Sequence, residues 1–213
     1  MNIKSVILAR GGSKGIPQKN IIPIHGIPLL HYTALASIHS NVSETWISTN
    51  CDDIKKTAQS IGCNIIDRPK KLCTDESKSD EALIHFAKNV DFDILVFIQP
   101  TSPLIKPDDI NEGIKLLIEN EYDSIFSAYK EHWIPRWTLK GIPHNWDVTN
   151  RPMRQDVDEL FVENGAIYIT TRDQLLNSKL RYGGKIGILE MPINRSFQID
   201  SFEDLRLIEQ LLS

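Results

Sequence analysis

The sequence has few cysteines and no long apolar run. Cys51, Cys63 and Cys73 are odd in number and lack C-x-x-C spacing, so we expect free thiols in a reducing cytoplasm rather than a disulfide framework or a zinc site. The longest apolar run, Ile94–Ile98, is far shorter than the ~20 residues of a membrane-spanning helix. The apolar stretch Val6–Ala9 is too short for a signal peptide. These absences predict a cytoplasmic protein with no membrane partner.

An excess of positive charge is also missing. The formal net charge is −4 over 213 residues, so no surplus of cations is available to neutralise a nucleic-acid backbone, and nucleic acid is not an expected partner. Hydrophobic residues (41%) and charged residues (24%) occur at the levels of an ordinary globular chain. The length predicts one domain, residues 1–213, with room for a sizeable core.

Strand-like and helix-like segments alternate along most of the chain. Ile3–Ala9 and Asp93–Gln99 predict buried strands, and Pro107–Glu119 and Ser201–Leu212 predict amphipathic helices. This alternation is typical of an α/β fold, a three-layer sandwich around a mostly parallel sheet. The other predicted helices are Leu29–His39, Asp52–Ile61 and Ser77–Asn89, and the other predicted strands are Thr45–Thr49, Cys63–Ile66, Ser124–Ala128, Gly165–Thr170 and Lys185–Pro192.

Residues 129–163 break the alternation and show no clean period. The segment holds three of the four tryptophans, Trp133, Trp137 and Trp146, and it also contains Arg151 and Arg154. Irregular insertions of this length often carry function, and aromatic residues beside arginines are typical of interfaces. We predict a small dimerisation arm that also reaches the substrate, the alternative being a packed surface flap.

The loop after the first predicted strand matches a hydrolase motif by its letters. Gly11–Gly15 reads G-x-S-x-G, which would make Ser13 a nucleophile at the start of a helix. Pro17 and Pro23 interrupt the segment that should be this helix. The required acid and histidine do not follow in order either, because the last histidine, His144, lies in the irregular segment. We therefore reject the hydrolase interpretation.

A phosphate-binding loop explains the same residues better. The motifs of P-loops and of dinucleotide-binding loops are absent. The glycines nevertheless let backbone N–H groups approach an anion, and Arg10, Lys14 and Lys19 add three positive charges. Ligands of parallel sheets gather at the carboxyl ends of the strands, which places this loop and Gln99–Leu104 at the same edge. The alternative is a solvated basic turn.

Several motifs in order resemble the CMP-sialic acid synthetases, the N-acylneuraminate cytidylyltransferases. The resemblance runs from Ile3 to about Leu212. The segments that carry it are Ala9–Gly15 with Lys19–Asn20, Arg68–Pro69 before Leu72–Ser79, Gln99–Leu104, Arg154–Gln155, Asn164–Tyr168, and Ile199–Asp200 with Glu203–Leu205.

The resemblance implies a Rossmann-like nucleotidyltransferase fold and a reaction. Such an enzyme joins CTP to a nine-carbon sugar acid, N-acetylneuraminic acid in the first place, and releases pyrophosphate. The anomeric hydroxyl of the sugar attacks the α-phosphate, so positioning and electrostatics suffice and no covalent nucleophile is needed. The implied cofactor is Mg²⁺, and the implied assembly is a homodimer.

The resemblance also implies roles for individual residues. Arg10 and Lys19 are catalytic candidates because cations stabilise charge that develops on the phosphates. Asp200 is the third candidate, as the implied ligand of the metal. Arg154 suits the sugar carboxylate. Tyr168 could equally pack in the core. The nucleotide-binding candidates are Arg10, Gly12, Ser13, Gly15, Lys19, Asn20, Arg68 and Ser79. The sugar-binding candidates are Gln99, Thr101, Ser102, Arg154, Gln155, Asn164 and Tyr168.

Two departures from the family pattern limit what the resemblance implies. Asp200 is the metal candidate, since Mg²⁺ prefers carboxylate oxygen, but Gln198 stands where a first carboxylate is commoner. Val162–Glu163 stand where sialic acid enzymes often have Arg-Pro, which keeps CMP-legionaminic or CMP-pseudaminic acid synthesis open. More distant alternatives are a nucleotidyltransferase for sugar phosphates and a nucleotide-binding domain without catalysis.

Overall fold

The computed structural model describes residues 1–12 and 15–213, so the predictions for Ser13 and Lys14 lie outside the described residues. The helices are α1 (Leu29–Ile38), α2 (Asp52–Gln59), α3 (Ser79–Asn89), α4 (Pro107–Glu119), α5 (Arg172–Ser178) and α6 (Phe202–Leu211). The strands are β1 (Ile3–Leu8), β2 (Pro23–Ile24), β3 (Ile27–Pro28), β4 (Glu44–Thr49), β5 (Asn64–Asp67), β6 (Ile94–Ile98), β7 (Ser124–Glu131), β8 (Arg136–Trp137), β9 (Pro143–His144), β10 (Leu160–Thr171) and β11 (Ile186–Glu190).

The central sheet has seven strands in the order β11-β7-β10-β6-β1-β4-β5. Strands β6, β1, β4 and β5 run parallel, and β11 runs parallel to β7. Only β10 lies antiparallel to its neighbours, β6 on one side and β7 on the other. The predicted α/β fold with a mostly parallel sheet is therefore confirmed.

Successive residues of the central strands are buried on opposite faces of the sheet. Val6 packs with Leu83 and Phe86 of α3, whereas the next residue, Ile7, packs in the cluster that contains Leu30 of α1 and Ile110 of α4. All five residues of β6 are buried, as expected of a strand covered by helices on both faces. The three layers therefore follow from the apolar runs of the strands.

The base of the predicted arm is more regular than the sequence indicates. β7 continues to Glu131 and β10 begins at Leu160, and these extensions pair with each other in antiparallel register. The pairing shifts between Glu163 and Tyr168, and Gly165 between them has a φ of 69°. This irregularity interrupts the alternation of the strand, which is why the prediction began β10 five residues late. Residues 129–131 and 160–163 are thus strand rather than irregular chain.

The other predicted helices and strands lie within two residues of their predicted bounds, whereas β2, β3, β8, β9 and α5 were not predicted. Across the described ranges, the helices are too short or too polar for any one of them to cross a membrane.

Candidate active site

Two neighbouring cavities open at the carboxyl ends of β1 and β6. One has a volume of about 200 Å³ and the other of about 240 Å³, and they share Leu8, Arg10 and Ser79. The predicted candidates that line the first cavity are Arg10, Gly12, Lys19, Asn20, Ser79, Gln99 and Thr101. The second cavity adds Arg68. The fold thus brings the two predicted loops to one edge of the sheet.

Arg10 follows β1 and points toward the turn at residues 73–75. Its Nη1 donates to the carbonyls of Thr74 (2.6 Å) and Cys73 (3.3 Å), and its Nη2 donates to Oδ1 of Asp75 at 2.7 Å. The carbonyl of Arg10 accepts a 3.0 Å hydrogen bond from Nδ2 of Asn20, whose side chain is buried. One use of the Asn20 amide is therefore to fix the backbone of the loop.

Lys19 joins this loop to the segment that precedes α6. Its Nζ donates to the carbonyl of Ile199 at 2.8 Å and to Oδ1 of Asp200 at 2.9 Å. A Cβ on Gly15 would lie 2.8 Å from the carbonyl oxygen of Asp200, so the two segments approach at a distance that only glycine permits. Two of the predicted catalytic residues, nearly the length of the chain apart, thus form an ion pair beside the cavity.

Arg68 lies under the second cavity, just beyond β5. Its Nε donates to Oγ of Ser48 at 3.1 Å, and its Nη2 donates to the carbonyl of Ser48. Burial, together with the charge of Arg10, lowers the pKa of this guanidinium. An arginine nevertheless remains charged in proteins, so Arg68 supplies a fixed positive charge to the cavity wall.

The loop after β6 divides its residues between the cavity and the interior. Gln99 and Thr101 line the cavity, with a 3.5 Å hydrogen bond from Oγ1 of Thr101 to Oε1 of Gln99. Ser102 is buried instead, and its hydroxyl accepts a 3.2 Å hydrogen bond from Nε2 of Gln198. Ser102, predicted to contact the sugar, thus holds the segment that carries Asp200.

The sequence model of the cytidylyltransferase family matches residues 5–212. The chain belongs to the cytidylyltransferase family. It is 36% identical over 218 residues to the N-acylneuraminate cytidylyltransferase of Oncorhynchus mykiss (98% of this chain, 50% of that protein). It is 28% identical over 208 residues to the enzyme of the same name from Streptococcus agalactiae serotype V (93% and 50%). The chain thus spans about half the length of these relatives, and the resemblance in its motifs is confirmed.

Solved structures agree on the fold of this cytidylyltransferase-family chain. A CMP:2-keto-3-deoxy-manno-octonic acid synthetase complexed with CTP superposes with a TM-score of 0.77 at 18% identity, over 100% of this chain and 98% of that chain. A 4-diphosphocytidyl-2C-methyl-D-erythritol synthase from Anaerococcus prevotii gives a TM-score of 0.72 at 12% identity, over 99% and 96%. At such identities the likeness concerns the fold, and the predicted nucleotidyltransferase fold is confirmed.

Two predicted sugar ligands of this chain lie in the interior. The Oδ1 of Asn164 accepts from Oγ of Ser127 (2.6 Å), and its Nδ2 donates to Oγ of Ser196 (2.9 Å). The ring of Tyr168 stacks on that of Phe97 at 5.4 Å between centroids, and its hydroxyl donates to Glu163. Burial raises the pKa of Tyr168 above its ordinary range. Tyr168 therefore takes the core position that the sequence left open, because it lies on the inward face of β10.

Arg154 and Gln155 lie in the arm of this chain. They form a short 3₁₀ helix, Arg154–Asp156, whose side chains are exposed. The described linings of the two cavities do not include them. Within one copy of the chain, the structure therefore does not bring the predicted carboxylate ligand to the nucleotide candidates.

Arg181 is a residue near the site that the sequence analysis missed. Its Nε and Nη2 donate to the two carboxylate oxygens of Asp80 at 3.2 and 3.1 Å, and its guanidinium carbon lies 5.1 Å from the centre of the Tyr168 ring. Asp80 adjoins Ser79, which lines both cavities. The pair is 101 residues apart in sequence, and no motif predicts it.

Asp200 has the chemistry of a magnesium ligand. Its side chain is largely exposed beside the phosphate-binding candidates, although Lys19 pairs with one of its oxygens. Mg²⁺ usually takes one or two carboxylates and completes its shell with phosphates and water, so a single carboxylate fits. Across the described residues, no cluster of three or more histidine, cysteine, aspartate or glutamate side chains offers a separate metal cage.

Proposed function

We propose that this chain joins CTP to a nine-carbon sugar acid, with N-acetylneuraminic acid as the main substrate, and yields the CMP-sugar and pyrophosphate. The observation that carries the proposal is the cavity at the carboxyl ends of β1 and β6, where Arg10 and Lys19 stand on either side of a glycine-containing loop. The names of the similar proteins, N-acylneuraminate cytidylyltransferases, point to the same reaction.

In the proposed reaction, the two cations act on the phosphates. Arg10 and Lys19 hold the triphosphate and stabilise the negative charge that accumulates on the α-phosphate and on the departing pyrophosphate. The anomeric hydroxyl forms the new P–O bond as the bond to the pyrophosphate oxygen breaks, and its proton passes to the solvent. Lys19 exchanges its contact with Asp200 for phosphate as the substrate enters, which requires only a partly exposed ion pair to open.

The proposal includes Mg²⁺ as a cofactor, with Asp200 as its protein ligand. When bound, the ion neutralises phosphate charge and thereby favours the departure of pyrophosphate. Gln198 supplies no negative charge where a first carboxylate is commoner, and its amide nitrogen bonds to Ser102. We therefore expect the ion to depend on the substrate phosphates for much of its binding.

The arm is proposed to complete the sugar site across a homodimer. Arg154 would then meet the sugar carboxylate in the site of the second copy, which is consistent with its absence from the described linings of both cavities of its own copy. Many large apolar side chains of the arm are exposed, among them Ile134, Trp137, Leu139, Ile142, Val148 and Met153. Apolar patches of this kind mark interfaces between proteins. A cytoplasmic location belongs to the same proposal.

Synthesis of CMP-legionaminic or CMP-pseudaminic acid is the second candidate. Glu163 departs from the sialic acid pattern, and its carboxylate accepts the hydrogen bond of the Tyr168 hydroxyl. A carboxylate at this place would favour a sugar with different substituents.

The test is release of pyrophosphate from CTP with N-acetylneuraminic, legionaminic and pseudaminic acids, with and without Mg²⁺. We expect release that requires both Mg²⁺ and a sugar acid and that is fastest with N-acetylneuraminic acid. Faster release with another acid would select the second candidate, and no release with any acid would refute the enzyme proposal.

A further inference from the structure

The described structure pairs Arg10 with an anion of its own chain. Nη2 of Arg10 lies 2.7 Å from Oδ1 of Asp75, and Nη1 donates to the carbonyl of Thr74 at 2.6 Å. Both Thr74 and Asp75 belong to the wall of the 240 Å³ cavity. A carboxylate and two carbonyl oxygens thus stand where the proposed function requires the oxygens of a phosphate.

We propose that Asp75 competes with the nucleotide for Arg10 and thereby sets the affinity for CTP and for the CMP-containing product. The inference rests on the proposed function, because it takes Arg10 to bind phosphate. Nucleotide binding then includes an exchange: phosphate oxygens replace Asp75 on the guanidinium, and Asp75 returns when the product leaves. Asp75 is in this sense an affinity-determining residue and takes no part in bond making.

The exposure of the pair makes the exchange feasible. The side chains of Arg10 and Asp75 are 31% and 46% exposed, and ion pairs at this exposure contribute little to stability because water screens them. A triphosphate carries several negative charges, so it displaces a single carboxylate readily. Asp75 can therefore weaken the binding of CTP without preventing it.

The carboxylate stays close to the cavity after it has been displaced. The hydroxyl of Ser77 donates to the carbonyl of Lys71 at 2.9 Å and lies 2.8 Å from the hydroxyl of Thr74, and these contacts anchor the turn independently of Arg10. Asp75 therefore remains near the bound phosphates and repels them. Removing its charge should relieve both the competition and the repulsion.

Asp75→Asn provides the test, because it removes the charge and keeps the shape. Titration calorimetry with CTP and Mg²⁺, in the absence of any sugar acid, measures binding without turnover. We expect CTP to bind about three- to tenfold more tightly to this variant than to the wild type at low ionic strength, with a smaller gain at high ionic strength. Asp75→Glu, which keeps the charge, should not show this gain.

Asp91→Asn is the matched control. Asp91 also pairs with an arginine, Arg172, at 3.8 Å, but it precedes β6 at the edge of the sheet opposite the cavities. Loss of one negative charge at Asp91 should leave the affinity for CTP within about twofold of the wild type, since salt screens charges that lie far from the ligand. In an Arg10→Gln background, Asp75→Asn should gain much less than in the wild type.

Three results would overturn the inference while leaving the proposed function intact. These are unchanged or weaker CTP binding by Asp75→Asn, an equal gain in the Asp91→Asn control, and a full gain without Arg10. Failure of the wild-type protein to bind CTP at all would be a different outcome, since it would refute the proposed function and the inference together.

Discussion

Lys19 is the residue on which the proposed chemistry depends most directly. Its ammonium group touches both the carbonyl of Ile199 and the carboxylate of Asp200, and its side chain is only 14% exposed. Because this cation is already held beside the cavity, it can stabilise negative charge on the triphosphate and then on the leaving pyrophosphate. Little water has to reorganise for it to do so.

Lys19→Ala should therefore impair catalysis strongly. We expect kcat/KM for CTP to fall about a hundredfold or more, as happens when a charge-stabilising donor is removed, with little change in the KM for the sugar acid. Lys115→Ala serves as the control, because Lys115 is exposed on α4 and forms only a long contact with Glu112. Equal kinetics of the Lys19 and Lys115 variants would contradict the assignment.

The three cysteines differ in their surroundings. Burial raises the pKa of Cys63 to about 11, and burial also raises the pKa of the half-buried Cys73. Because the thiolate is the reactive form, Cys63 should be the last to react with iodoacetamide near neutral pH, after Cys51 and Cys73. Mass spectrometry of the alkylated protein measures the order. Early labelling of Cys63 would mean that the core opens at α2 and β5.

At the scale of elements, the start of α6 organises the segment around Asp200. Oδ2 of Asp204 accepts hydrogen bonds from the backbone N–H groups of Asp200 (3.0 Å) and Ser201 (2.8 Å), and Oγ of Ser201 accepts from the N–H of Asp204. Ser201 and Asp204 thus cap the start of α6 reciprocally, and the cap fixes the backbone of Asp200 beside its ion-pair partner Lys19.

The variant Asp204→Asn should lose stability in a pH-dependent way, because the cap depends on the charge of Asp204. Hydrogen bonds from the backbone of Asp200 and Ser201 lower the pKa of Asp204 in the folded state. The contribution to stability is therefore present above the unfolded-state pKa and is lost as the pH falls through the folded-state pKa. We expect the variant to lose about 1 kcal/mol of unfolding free energy at neutral pH and to match the wild type in strong acid.

Urea unfolding at several pH values measures the difference. Glu203→Gln removes a charge from the same turn without touching the cap, so its stability should change much less. A loss for Asp204→Asn that persists unchanged into strong acid would contradict the role of the charge.

The loop that follows β1 approaches Asp200 closely at Gly15, and we therefore expect alanine to destabilise the protein more at Gly15 than at Gly12. A Cβ at Gly15 would lie 2.8 Å from the backbone oxygen of Asp200, whereas a Cβ at Gly12 would meet nothing within 4 Å. Gly15→Ala must push the two segments apart and should cost about 1–3 kcal/mol of unfolding free energy. Gly12→Ala should change it by less than about 0.5 kcal/mol. Thermal unfolding measures both, and equal losses would refute the close contact.

The sequence predicted elements well and long-range side-chain contacts poorly. The sequence identifies β6 by its continuous apolar run, because this strand is buried on both faces. It identifies α4 by an apolar stripe with helical period, because this helix is buried on one face. The extension of β10 escaped prediction because the irregular pairing around Gly165 shifts the alternation. The contact of Arg10 with Asp75 spans 65 residues, and only the path of the folded chain brings these side chains together.

The same distinction applies to the candidate site. Strand order places the loops after β1 and β6 at one edge, so the fold class was sufficient to predict that Lys19 and Gln99 face the same cavity. The interior position of Ser102 was not predicted, and that of Tyr168 was one of two alternatives, because the sequence alone does not decide which residues of a loop or strand turn inward.

At the scale of the whole molecule, the arm exposes a group of large apolar side chains. It carries a short hairpin of β8 and β9, on which Trp146 packs edge-on against Trp137 with 4.9 Å between ring centroids. The guanidinium of Arg151 lies 5.8 Å from the rings of Trp133 and Trp146. The arm thus has internal order of its own and still exposes Leu139 and Ile142 at its tip.

The double variant Leu139→Glu, Ile142→Glu tests whether this tip joins two copies. Charges cannot be buried unpaired in an apolar interface, so the variant should sediment as a monomer at concentrations where the wild type is a dimer, with an unchanged circular dichroism spectrum. If Arg154 acts in the site of the second copy, the variant should also lose about tenfold or more in kcat/KM for the sugar acid while its affinity for CTP stays within about twofold.

Leu176→Glu, Leu207→Glu is the matched control, since both leucines are exposed on helices outside the arm. It introduces the same charges and should leave the dimer and the kinetics unchanged. A wild-type protein that sediments as a monomer and still turns over the sugar acid would refute the assembly, and it would require Arg154 to act within its own chain or not at all. Loss of the dimer without loss of sugar turnover would instead separate the two roles, leaving the arm as an interface and removing Arg154 from the sugar site.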